Sequence, residues 1–238
     1  LVGSEMCIRD RFEIIKEKAI SICVGKKGIG TQEVTVQILG DSFVNGAFFR
    51  DALLSKNYIP GIKLVGLRNI KNEEGQYDEG RGGWTVKKYF EIPKGEMTSY
   101  HGYMQPVGEY RYWGSCEFWK NCYKVINGEL TDTEIVYNCG RYDQCITKFD
   151  KETGYLAAPK KNDLMYDNAR GSYMVYTEKK WKNVEVDERK WAFNYRKYLD
   201  MWNLDAPKFF AQMLGLNDYR DSLTADYREW NKKIAEMK

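Results

Sequence analysis

Three short segments carry the residue types from which an ester-cleaving site is built: Gly40-Asp41-Ser42, Glu79-Gly80-Arg81-Gly82-Gly83-Trp84-Thr85 and Gly215-Leu216-Asn217-Asp218. A serine hydroxyl is a weak nucleophile until a turn exposes it, a base takes its proton and donors stabilise the oxyanion it generates. Gly40 permits tight backbone geometry, and Ser42 at a strand-to-helix junction would lie beside the free amides of a helix N-terminus. In the second segment a glycine amide could approach a substrate closely, and in the third the Asn217 amide could supply a further donor. Arg81, Trp84 and Asn45, three residues after Ser42, are candidates to line such a site. Each has helix capping or packing as its structural alternative. Asp41 and Asp218 read as acceptors that organise their own turns.

The elements that must position these residues follow from the hydropathy pattern. Val34 to Leu39 is a short, nearly continuous apolar run of the kind a strand buried on both faces requires, and it runs straight into Gly40-Asp41-Ser42. Asn45 to Lys56 spaces Phe48, Leu53 and Leu54 at helical intervals. Ile62 to Leu67 reads as a second buried strand and Trp84 to Phe90 as a helix start. Strand, helix, strand, helix is the rhythm of a parallel α/β sheet. Ile92 to Val186 breaks it and reads as a long insertion of loops and small strands. Beyond it, Glu188 to Trp202 has the spacing of an amphipathic helix, Lys208 to Leu214 of a buried strand, and Ser222 to Met237 of a closing helix. All three chemical segments would then stand at C-terminal strand ends, where open α/β sheets build sites.

Upstream, Phe12 to Val24 reads as a strand that leads in or ends a preceding domain, so residues 12–33 are set apart from 34–238. The Gly25 to Thr31 stretch lacks the Gly-Lys-Ser/Thr ending of a phosphate loop and reads as a turn. Leu1 to Arg11, LVGSEMCIRDR, resembles a translated sequencing adapter and is set aside as an artefact; its two acidic and two basic residues cancel.

The 238 residues are 43% hydrophobic and 30% charged, with net charge +3. That balance gives no reason to expect nucleic acid or a membrane surface as partner, and no apolar run reaches the roughly 18 residues of a membrane span. Cys116/Cys122 and Cys139/Cys145 are each separated by five residues, wider than zinc knuckles. Disulfides or buried thiols remain, buried thiols being the simpler reading. Aromatic residues reach 15%, and of 7 Trp, 5 lie from Trp113 to Trp202. Most are expected to give the insertion its own small core, while one or two exposed rings could stack on sugars.

The ordered set of segments resembles the SGNH/GDSL family of serine ester hydrolases. The resemblance implies Ser42 as nucleophile, with an oxyanion hole formed by the amides of Ser42 and Gly83 and the side chain of Asn217. It implies a flavodoxin-like three-layer α/β/α fold with a parallel sheet, spanning 34–238 and interrupted by the insertion at about 92–186. It implies no cofactor and no metal. The substrate would be an acylated small molecule or glycan. The long aromatic insertion is similar to that of members from gut bacteria, for which polysaccharide deacetylation, and hence an extracytoplasmic site of action, is the corresponding expectation. The family's Asp-x-x-His block, source of the general base, does not occur between Asn217 and Lys238. The only histidine, His101, falls in the insertion. The expectation is therefore of a C-terminally truncated esterase that does not turn over as given. The alternative is a glycan-binding module derived from the same fold.

Overall fold

The computed structural model describes residues 2–10, 13–22, 33–55, 61–68, 76–95, 99–140, 142–221 and 232, with the backbone alone for 2–22. In the first stretch β1 (Val2–Asp10) and β2 (Glu13–Ile22) form an antiparallel hairpin with an irregularity between Ile8 and Arg9. The Gly25 to Thr31 turn and most of the closing helix lie outside the described residues.

The chain then enters β3 (Val34–Gly40), the strand on which the site depends. It is followed by the single-turn α1 (Ser42–Asn45), by α2 (Phe48–Ser55) and by β4 (Ile62–Leu64) and β5 (Glu79–Gly80). Both β4 and β5 run parallel to β3, β4 beside Val34–Val36 and β5 beside Leu39–Gly40. The other edge of β3 is taken, again in parallel, by a strand from far down the chain, Phe209–Met213, whose Met213 stands opposite Gly40.

Alternation along β3 explains why it reads as continuously apolar. Ile38 packs with Val44 and Leu64 on the side of the early helices, whereas the neighbouring Leu39 joins a large aromatic core. Successive strand residues point to opposite faces, so a strand covered on both sides needs apolar residues at both parities.

The segment between β5 and the returning strand is more ordered than a set of loops. After a 3-10 turn at Lys87–Phe90 it contains β6 (Met104–Pro106), β7 (Arg111–Ser115), α3 (Cys116–Ile126), α4 (Thr133–Cys139), α5 (Asp143–Ile146), β8 (Asp163–Asp167), β9 (Ser172–Tyr176) and β10 (Trp181–Val184). Strands β7 to β10 form a mixed sheet in the order β10-β9-β8-β7, with β7 and β8 parallel. Ser115 starts α3 by accepting the Phe118 amide at 3.1 Å, a cap of the expected kind. The aromatics of this region do not make a separate core. Tyr100, Tyr112, Trp119 and Phe149 share one buried cluster with Leu39, Leu67 and Trp84, so the insertion packs onto one face of the parallel sheet.

The helix expected over Glu188 to Trp202 is shorter. Glu188–Lys190 is a 3-10 turn and β11 (Trp191–Phe193) pairs antiparallel with β6; only α6 (Tyr195–Trp202) is helical. Asn194 caps α6, its side chain accepting the Lys197 amide at 2.9 Å. The strand β12 (Phe209–Met213) follows, with Phe209 60% exposed, so it is not the fully buried strand its sequence suggests. Helix α7 (Leu216–Asp221) follows β12. No helix among the described residues is long and apolar enough to cross a membrane.

Candidate active site

Strand β3 delivers Ser42 to the edge of the sheet, and its two neighbours clamp the turn. The Gly40 carbonyl accepts the Arg81 amide at 2.8 Å and the Tyr89 hydroxyl at 2.7 Å, while the Asp41 amide donates to the Met213 carbonyl at 3.3 Å. Asp41, itself buried, caps α1 by accepting the Phe43 amide at 3.1 Å. Ser42 is thereby left half-buried at the first position of the helix. Close packing explains the glycines. A Cβ on Gly80 would stand 2.1 Å from the Asn45 amide nitrogen, and one on Gly40 would meet Val44 Cγ2 at 2.3 Å. Without them α1 could not lie against β3 and β5.

The third segment docks on the second. Asn217, buried at the start of α7, donates its Nδ2 hydrogen to the Trp84 carbonyl at 3.0 Å. The Asp218 carboxylate accepts the Val86 amide at 3.0 and 3.1 Å. Gly83 lies between, with φ +70° and nothing within 4 Å of the place a Cβ would occupy. It is required there for its backbone conformation, and the space in front of it is open. Among the described residues, the amides of Ser42 and Gly83 and the Ser42 hydroxyl make no protein hydrogen bond. An amide side chain has two N–H donors, so Asn217 keeps one beyond the hydrogen that goes to Trp84. Serine, glycine and asparagine are thus gathered at the C-terminal edge of adjacent parallel strands.

The three residues read as site-lining are placed differently. Arg81 is 0% exposed: its guanidinium pairs with Glu79 at 2.9 Å and donates to the Glu79 and Tyr100 carbonyls. Asn45 is buried and accepts from the Arg68 guanidinium at 3.0 Å. Both side chains therefore serve the interior beneath the turn. Trp84 packs edge-on against Tyr89 and His101, with the Arg81 guanidinium 5.4 Å from its ring. It also borders a cavity of about 410 Å³ together with Ser99, His101 and Asn138.

His101 is fully buried and held by backbone on both sides. Its Nδ1 accepts the Tyr103 amide and its Nε2 faces the Glu91 carbonyl, each at 3.1 Å. That pairing fits only the neutral ring with hydrogen on Nε2. Burial, followed by the nearby Arg81 cation, depresses its pKa to about 3. Both nitrogens are thus committed to structure.

Sequence reading missed the residues that hold the turn from below. Glu79 is the hub: it accepts from the Leu67 amide at 2.7 Å, from Arg81 and from the Tyr198 hydroxyl of α6. Tyr89 bridges the Gly40 and Glu79 carbonyls. Nothing local marks Tyr89 or Tyr198 for this work, since each reaches a partner through tertiary packing alone. Asp78, beside Glu79, has its carboxyl pushed up to about 6 by burial, against the opposing hydrogen bond from the Gly80 amide and the Arg68 and Arg50 cations.

No protein-family model, curated protein or solved structure matches this chain.

Proposed function

We propose that the chain carries the nucleophile and oxyanion hole of a serine ester hydrolase of the SGNH type, acting on acylated small molecules or glycans. The observation that supports this reading is the convergence of Gly40-Asp41-Ser42, Gly83 and Asn217 at one edge of one parallel sheet, with donor hydrogens to spare. The order β12, β3, then β4 and β5 along the far edge of β3 is also compatible with a flavodoxin-like three-layer arrangement.

In this reading Ser42 Oγ attacks the acyl carbonyl as a base removes its proton. The C–O bond to Oγ forms, and the carbonyl oxygen becomes an oxyanion held by the Ser42 and Gly83 amides and the Asn217 side chain. Collapse expels the alcohol, which takes up the proton, and water releases the acid from the acyl-serine by the same route. His101 is not the base, because its lone pair is spent on the Tyr103 amide. The family resemblance assigns that role to an Asp-x-x-His block that this sequence does not contain.

A protein that carries this chain together with such a block is expected to hydrolyse p-nitrophenyl acetate. Ser42→Ala should lower kcat by roughly a thousandfold or more while leaving the circular dichroism spectrum unchanged. Full activity of the Ser42→Ala protein would overturn the reading. One observation favours a second reading, a glycan-binding relative without turnover: the only imidazole of the chain is structural. A chain that binds glycans and shows no esterase activity would support that alternative.

A further inference from the structure

A second cavity, of about 700 Å³, opens on the other side of α6 and shares no residue with the Ser42 region. Helix α6 separates the two: Tyr198 and Trp202 point into the core, where Tyr198 reaches Glu79, whereas Lys197, Asp200 and Met201 border the cavity. Its remaining walls come from β7, the stretch after α5 and the approach to β8, including Trp113, Lys148, Lys160 and Asp163. The volume suits a small molecule of one or two sugar rings.

The charges of this cavity do not cancel. Asp163 is spent on donors: its carboxylate accepts from Arg111 at 2.8 Å, from the Trp113 indole at 2.9 Å and from the Lys160 amide at 2.6 Å. Asp200 pairs with Arg196 at 3.3 Å, whereas Glu109 accepts only from the neutral Asn162 amide at 2.9 Å and keeps its charge, so the lining, with four cations against three carboxylates, is net positive by one. Three ammonium groups have no carboxylate partner among the described residues. Lys197 directs its hydrogens to the carbonyls of Pro106, Gly108 and Tyr110, which satisfy its donors without neutralising it. Lys148 is held over Trp202 at 4.9 Å and faces Trp113 at 6.0 Å, so its ammonium is preorganised by aromatic rings. Lys160 is exposed at the rim with no ion pair. Beside them Trp113, Leu156 and Met201 offer an apolar wall.

We propose that this cavity binds a carboxylate or sulfate carried on a sugar-sized ring, the anion received by Lys148 and Lys160 and the ring lying against the apolar wall. The inference does not rest on the reading of Ser42. The two anions share the recognition chemistry, a negatively charged oxygen cluster accepting charge-assisted hydrogen bonds.

Glucuronate, glucose 6-sulfate and glucose, each titrated into the protein and followed by calorimetry and by the tryptophan indole NMR signals, test it. At least one of the two anions should bind about tenfold tighter than glucose or better, as one charge-assisted contact warrants, and which one binds identifies the group. The Lys148→Met/Lys160→Met double variant should lose about tenfold or more, while Lys179→Met, with an exposed lysine removed elsewhere, and Ser42→Ala should bind as the unaltered chain does. Equal binding of glucose and the anions, undiminished binding by the double variant, or no response to either anion at millimolar concentration would overturn the proposal. The comparison of the three sugars on the unaltered protein stands even if the double variant misfolds.

Discussion

Acidification tests the placement of His101 directly, because the chain has one histidine and its imidazole C–H resonance needs no assignment. The ring is fully buried, its Nδ1 accepts the Tyr103 amide, and a proton added there would confront that N–H. The folded pKa of about 3 lies well below the ordinary 6.5. Between these values the unfolded chain binds a proton that the folded chain refuses, so stability rises with pH across the interval. The contribution is complete above pH 6.5 and is lost progressively as pH falls toward 3. At roughly 1.4 kcal/mol for each pH unit, the gap corresponds to about 5 kcal/mol, a large part of a typical domain's stability. Two measurements follow. The histidine resonance should stay fixed from pH 8 to pH 5 in the folded protein, and the urea midpoint should fall over the same range as the pH is lowered. A histidine titrating near 6.5 while the protein remains folded would refute the burial argument, and with it the exclusion of His101 as the base for Ser42.

Asp78 opposes this trend, because its folded pKa of about 6 lies above the ordinary 3.8 and the folded state therefore gains stability as pH falls through that window. Asp78→Asn, which keeps an acceptor for the Gly80 amide, should deepen the loss on going from pH 7 to pH 4 by about 2 kcal/mol; urea midpoints at the two pH values check this, and an unchanged pH dependence refutes it. Gly80→Ala should be more damaging than Gly83→Ala, because its methyl would strike the Asn45 and Val44 backbone, a clash of about 1–3 kcal/mol or more. At Gly83 the methyl meets nothing and only the positive φ is penalised, by about 1–2 kcal/mol. Thermal or urea unfolding of the two variants, ranked in the reverse order, would show that α1 does not rest on β5 as described.

Much of the sheet was legible because its signals are local. Val34 to Leu39 is apolar at both parities because Ile38 and Leu39 face different cores, and the pattern alone marks a strand covered on two sides. Where the outcome depended on distant partners, the pattern misled. Trp191–Phe193 has helical spacing yet pairs with Met104–Pro106, a ladder set by residues some ninety positions upstream. The cysteines show the same limit. The four whose side chains are described are buried free thiols, and Cys122 of α3 interacts with Cys139 of α4, so contact follows helix packing rather than the five-residue spacing.

The candidate site divides along the same line. The placement of Ser42, Gly83 and Asn217 at one sheet edge was legible because each follows a strand, and parallel strands place their C-terminal ends together whatever else the chain does. The roles of Arg81 and Asn45 were not, because a charged or amide side chain near a turn has the same sequence signature whether it faces substrate or core. What decides is the partner. Glu79, two residues before Arg81 on the same strand end, already supplies a fully buried carboxylate at 2.9 Å, and removing one member would leave the other charge buried without compensation. Arg81 is therefore bound to the scaffold by the residue beside it. Through Glu79 and Tyr89 that buried network reaches the Gly40 carbonyl, so the rigidity of the Ser42 turn originates in residues that no ligand at Ser42 would touch.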